Sequence, residues 1–340
     1  MALNGQTKQD NLSFGKRLMP VSEENIFKEE SYFIWDTSII KGEDGKFYLI
    51  YSRWKKDLGF NAWLVSSEIA YAESNSPVGP WAYKGTLLKG RGGKHWDALT
   101  AHNPMMKVFD GKYYLYYNAT NPGDKVFTED DLIALGQQGG KHPDWSIIRN
   151  NQRIGVAVAN SLEGPWERTE QPLLEPSGPV KTMLNNPAVT EKDGLYYMIV
   201  KGDKPNETRF VRNQAMSIAK SPTGPFEIQE KAVIDYLDTE DVVLWYDSKR
   251  EYFYAVFHTN SEGGFIGMVS SPNGINWNKA SEFIITPKRF LMSDGSYFTP
   301  HRAERPFVYV EDNEPQALAI AVKKGANSYL IFIPISSVSE

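Results

Sequence analysis

The sequence predicts an all-β chain, a five-bladed β-propeller of four-stranded antiparallel blades, and two recurring patterns predict it. The first is a turn followed by an aromatic residue: SNSPVGPWAYKG (74–85), NSLEGPWERTE (160–170), KSPTGPFEIQE (220–230) and SSPNGINWNKA (270–280). Each follows a short strand-like run, EIAYAE, IGVAVA, QAMSIA or FIGMVS. Pro and Gly punctuate the turn, and the next strand is expected to begin on the Trp or Phe. The second pattern is a strand, a charged turn and an aromatic strand. It starts at Asp36, Asn103, Asn186 and Asp241, and more loosely at Glu304. A turn of D-G type between two apolar runs is a β-hairpin signal.

Interleaving the two patterns gives units of four strands whose starts, at 36, 103, 186, 241 and 304, lie about 55 to 83 residues apart. A four-stranded sheet repeated five times cannot bury its faces alone, and radial stacking around an axis solves that. The whole chain, 1–340, then reads as one propeller domain. The fifth unit lacks its P-x-G-x-W turn, and residues 12–30 are expected to supply the missing outer strand and close the ring. The second unit is interrupted at about 120–152. There Thr128 to Asp131 fits a capping box, with Phe127 and Leu132 placed as a staple, so a short helix over LIALGQQ is expected to end at Gly139-Gly140.

Composition narrows the function classes. Hydrophobic residues make up 41% of the chain, enough for a packed core, and the mean hydropathy is −0.45. No apolar run approaches the roughly 20 residues of a membrane span. The first 17 residues carry no apolar stretch of signal type, which fits a cytoplasmic protein or one whose signal has been removed. With no cysteine, disulfides and thiolate chemistry are excluded. The net charge of −5 and the absence of a basic tract argue against nucleic acid as a partner. Aromatic residues reach 13%; most are expected to fill strands, and a few to form flat platforms.

In a propeller the innermost strand of each blade starts near the axis, so the residues opening these strands converge. All five openings are polar or charged: Trp35-Asp36, His102-Asn103, Asn185-Asn186, Glu240-Asp241, and Arg302 with Glu304-Arg305. A purely structural hub tolerates small or apolar residues there.

The blade-one aspartate before a hairpin, the S-P-x-G-P-W turns and the Glu-Asp pair of a late blade resemble the five-bladed glycosidases of glycoside hydrolase families 43, 62, 32, 68 and 117. The likeness runs from about residue 30 to 335. The stretch HWDALTAHNPMMKVFDGKYYLYY (95–117) is similar to the second-blade region of family 117, which removes anhydro-galactose from algal oligosaccharides. The resemblance implies an exo-acting glycoside hydrolase with an oligosaccharide substrate and no organic cofactor. Such chemistry uses two carboxyl groups, one protonating the leaving oxygen and one activating water or attacking the anomeric carbon.

Asp36 matches the family's blade-one base. Family 43 carries an aspartate in blade two and a glutamate acid in blade three, whereas this chain has Asn103 and Asn186. Amides bind sugar hydroxyls but exchange no proton at neutral pH. The acid therefore falls among Glu240, Asp241, Asp97, His301 and His258, family 117 being one in which histidine takes part in acid catalysis. Trp35, Trp96 and Trp245 neighbour these acids as potential stacking walls, and His102, Asn103 and Asn186 as polar contacts. Arg302, Glu304 and Arg305 form the fifth opening, in which an arginine fork would hold a carboxylate or paired hydroxyls. No His spacing supports a metal site, and none is expected. Two other functions fit the same residues. A glycoside phosphorylase would take phosphate on Arg302, Arg305 and Lys181. A binding-only propeller would use Asn103 and Asn186 without catalysis.

Overall fold

The computed structural model describes residues 10–207, 210–260 and 263–337; part of the stretch read for a leader, residues 1–9, lies outside these. Five four-stranded antiparallel sheets follow one another along the chain. Blade one consists of Tyr32–Lys41, Phe47–Lys55, Glu68–Ser74 and Ala82–Leu88, and blade two of His102–Phe109, Lys112–Ala119, Arg153–Ala159 and Glu167–Arg168. Blade three is Lys181–Lys192, Leu195–Asp203, Arg212–Ala219 and Glu227–Ile234; blade four is Thr239–Asp247, Tyr252–Thr259, Phe265–Ser271 and Asn278–Pro287. Blade five pairs Arg302–Glu311, Glu314–Lys324 and Asn327–Pro334 in order. Its outermost strand is Ile26–Phe27, from the other end of the chain, with Ile26 opposite Ile331. Each inner strand packs against the inner strands of both flanking blades, so the ring is closed.

The turns follow from sequence. Asp110-Gly111 and Asp193-Gly194 both take positive φ, 49° and 73° in the first hairpin and 53° and 75° in the second, the twist-matching turn that D-G favours. In the recurring Pro-Gly turns the glycines stand at φ 92°, 93° and 86° (Gly79, Gly164, Gly224), where a side chain would be strained. Alternating apolar residues fill the spaces between blades; Trp54, Tyr51, Tyr116 and Phe332 are among the largest fully buried side chains.

In blade two the insertion folds as a helix over Glu129–Gln138. Thr128 caps it by accepting from the Asp131 N–H at 3.2 Å, and Asp131 accepts from the Thr128 N–H at 2.9 Å. Gly139, at φ 58°, ends it. A second short helix, Trp145–Asn150, follows; Asp144 stands at its N-cap without making a side-chain capping bond. No helix among the described residues is long and apolar enough to cross a membrane.

Candidate active site

One local irregularity recurs in every inner strand and builds the site. Pairing with the second strand slips after Trp35, His102, Asn185, Glu240 and Glu304. The next residue in each case is left-handed: Asp36 (φ 64°), Asn103 (51°), Asn186 (56°), Asp241 (60°) and Arg305 (57°). A bulge of this kind turns a side chain away from the regular pleat. Asp and Asn tolerate the left-handed region; arginine does so less readily, and the strain at Arg305 is of the sort stored at functional sites. The fifth equivalent of Asp36 is therefore Arg305, one residue beyond the blade start expected at 304.

The five left-handed residues form a closed polar ring. Arg305 binds Asp36 through Nε and donates from Nη1 to Asp241 Oδ1 at 2.9 Å. The Asn186 amide donates to Asp241 Oδ1, and the Asn103 amide meets that of Asn186. The Asn103 backbone N–H closes the circuit on Asp36 Oδ2 at 3.3 Å. Two carboxylates thus share one guanidinium, a buried arrangement that holds only while every member is paired.

Above this ring lies a cavity of about 260 Å³. The residues that precede the ring, Trp35, His102, Asn185, Glu240 and Glu304, all line it, as do Asn103, Asn186, Asp241 and Arg305. Connections between second and third strands supply an aromatic side: Phe60 and Trp63 from blade one, Trp145 from the insertion, and Phe210 from blade three. His102 is held within it, stacked on Trp63 with centroids 5.3 Å apart, and its Nδ1 lies 2.8 Å from Ser67 Oγ. Burial pushes the His102 pKa down to about 4; Asp36 opposes the shift and Arg305 adds to it.

The cavity is also lined by charged side chains. Glu240 accepts from Lys201 Nζ at 2.8 Å, pairs with Arg212 Nε, and accepts from Asn260 Nδ2 at 3.3 Å. Burial works against its charge, but Lys201 and then Arg212 outweigh it and hold the carboxyl well below the usual range. Asp241 is lowered in the same way, burial being overcome chiefly by Arg305. Glu304 is clamped by Arg302, whose Nε and Nη2 reach its two oxygens at 2.6 and 2.8 Å.

Several expected residues stand elsewhere. Asp36 is fully buried and lines no part of the cavity; Arg305 and Asn103, which do, cover it. A general base must reach the attacking water, and this carboxylate is engaged by the ring instead. Asp97 is built into blade two, bonded to Arg91 Nε at 2.6 Å, Tyr117 Oη at 2.7 Å and Arg168 Nη1 at 3.2 Å. Trp96 stacks on Tyr117 beside it and donates to Thr169 O, so neither belongs to the hub. His301 is exposed, accepting from the Gly325 N–H, and does not line the cavity. His258 is buried behind the wall, with Nδ1 3.4 Å from Asp241 Oδ2. Trp245 packs on Tyr254 in the core, and Lys181 lies outside the cavity.

Glu240, Asp241 and His258 are the three side chains among the described residues whose ligating atoms cluster within 4.8 Å. A metal there would compete with Lys201, Arg212 and Arg305 for the same oxygens. The donor set is thus a poor fit for a resident cation.

Sequence reasoning misses Lys201, Arg212, Trp63, Trp145 and Phe210. The first two sit at the ends of second and third strands of blade three, and the rest in connections on the cavity face. Position within the repeat could have flagged Lys201, a lysine ending an otherwise apolar strand.

No family model matches this sequence, and no curated protein does. Solved structures do match over nearly the whole chain. Zg3597, a family 117 glycoside hydrolase of the marine bacterium Zobellia galactanivorans, is 17% identical with a TM-score of 0.62, over 93% of this chain and 88% of that one. BT0996, in a complex with RGII, is 14% identical with a TM-score of 0.68, over 95% and 93%. CoXyl43, a family 43 β-xylosidase/α-arabinofuranosidase from a compost metagenome seen with xylotriose, is 14% identical with a TM-score of 0.57, over 92% and 96%. The chain has the five-bladed propeller fold, shared with these structures, two of which are glycoside hydrolases of families 117 and 43. At such identities the likeness speaks for the fold.

Proposed function

We propose that this chain is an exo-acting glycoside hydrolase that removes a terminal sugar from plant or algal oligosaccharides. One observation carries the reading: Glu240 and Glu304 occupy equivalent positions in adjacent blades and line one cavity, together with the polar ring and the aromatic rings of Phe60, Trp63, Trp145 and Phe210. A floored cavity favours a chain end over a chain interior. Aromatic rings suit the apolar face of a sugar, and paired carboxyls suit acid and base work at its anomeric carbon.

Glu240, kept anionic by Lys201 and Arg212, takes the role of base or nucleophile. Glu304 takes that of acid. Arg302 holds both its oxygens, so the fork must open when substrate binds; Arg302's side chain is 46% exposed and has room to swing. Asp36 and Asp241 hold Arg305 in the floor as positioning residues. His102, neutral at pH 7, serves as a hydrogen-bonding group on the wall.

A binding-only propeller is the second reading, favoured by the pairing of Glu240, Asp241 and Glu304 with basic side chains. Incubation with a panel of plant and algal oligosaccharides, with and without phosphate, separates the two. Monosaccharide released without phosphate supports the hydrolase; a sugar 1-phosphate formed only with phosphate would make it a phosphorylase. Binding without release in either condition supports the second reading.

A further inference from the structure

The outer side of blade three carries a second cavity, of about 700 Å³, that the hub chemistry does not use. It follows the outer strand Glu227–Ile234 and is bounded by the last Pro-Gly turn of blade four. Two aromatic residues line it: Tyr236, 48% exposed, and Trp277, fixed by its Nε1 donating to Gly274 O at 2.9 Å. Lys279 Nζ lies 5.6 Å from the Tyr236 ring centroid, which helps to hold that ring in place. Lys204, Lys231, Glu230 and Asp235 also line the groove, two cations against two carboxylates.

Asn213 gives the independent sign of a ligand. It is 3% exposed and lines the groove; its Nδ2 donates to Pro179 O at 2.7 Å, while its Oδ1 has no protein partner. Leaving a buried acceptor unpaired is unfavourable, and a hydroxyl donor would satisfy it. Flat aromatic platforms, amides and balanced charges are the surroundings of a neutral polyhydroxylated chain. They do not suit a polyanion or an apolar peptide. The groove is separate from the hub: Arg212 lines the central cavity, and Asn213, the next residue of the same strand, lines the groove.

We propose that this groove is a second carbohydrate site, which holds a neutral glycan chain outside the hub. The inference rests on the carbohydrate reading of the hub, yet it can fail separately from it.

Affinity electrophoresis tests it, in gels containing arabinan, xylan or agarose as neutral chains and polygalacturonate or carrageenan as acidic ones. The wild type is expected to be retarded by at least one neutral chain. Tyr236→Ala, an exposed change, should weaken retention about tenfold, equivalent to about 1.4 kcal/mol. Tyr236→Ala/Trp277→Ala should abolish it; thermal unfolding checks that each variant is folded. Absence of retardation in all neutral gels, retardation by acidic chains alone, or full retention by folded Tyr236→Ala would each overturn the groove. Groove-dependent retention with no sugar released from any oligosaccharide would sink the hub reading and leave the groove standing. Sugar release with no effect of the groove variants would do the reverse.

Discussion

Arg305 binds Asp36 across the seam where the last blade meets the first, and the same guanidinium reaches Asp241 in blade four at 2.9 Å. One side chain thus ties three blades at the axis. Arg305→Met should cost about 3–5 kcal/mol, because it strands two buried carboxylates. Arg305→Lys should recover only part of this, lacking the fork that spans both partners. Chemical denaturation of the two variants beside the wild type measures the difference.

Acid should weaken the fold well before carboxylates ordinarily titrate. His102 has a folded pKa of about 4 against an ordinary value of 6.5, so the unfolded chain takes up its proton first as pH falls. Its contribution is complete above pH 6.5 and is lost between 6.5 and about 4. His258, lowered by burial, acts in the same direction. Glu240, lowered from 4.5, adds a further loss below that pH. The melting temperature should therefore fall steadily from about pH 7 to about pH 4, and His102→Gln should flatten the upper part of that slope. A flat wild-type profile over this range would contradict it.

Asp97→Asn should leave the proposed sugar release by the folded protein unchanged while lowering stability by about 3 kcal/mol, since Arg91 and Arg168 lose their shared buried anion. Paired activity and unfolding measurements on one preparation test both halves.

Trp63→Ala removes an aromatic wall of the cavity and the stacking partner of His102. It should raise KM about tenfold with a smaller effect on kcat, as expected when binding common to ground and transition states is lost. A change confined to kcat would instead place Trp63 in the chemistry.

Much of the fold is legible because it repeats. Asp110-Gly111 and Asp193-Gly194 announce their hairpins, and Thr128 with Asp131 announces the helix that they cap. The site is only partly legible. Sequence places Glu240, Asp241, Glu304, Arg305 and the two asparagines at the axis, but it cannot say which of two adjacent residues a bulge turns inward. That ambiguity covers Trp35-Asp36 and Glu304-Arg305 alike: the first of each pair faces the cavity, and the second enters the ring. Asp97 misleads for a related reason. It precedes the hub residues His102 and Asn103 in sequence, yet Arg91 and Arg168 hold it within blade two, away from the cavity. Lys201 and Arg212 reach Glu240 from strands whose ends meet the hub only in three dimensions.

The most direct test of the central claim is the turnover of Glu240→Gln on whichever oligosaccharide the wild type cleaves, measured beside Asp36→Asn. The predicted result is a loss of about 10²–10⁴-fold in kcat for Glu240→Gln, with substrate still bound by a folded protein. Asp36→Asn should chiefly lower the melting temperature. Wild-type turnover by Glu240→Gln, or an equally deep loss in a fully stable Asp36→Asn, would contradict the assignment of the chemistry to the cavity wall and return it to the ring.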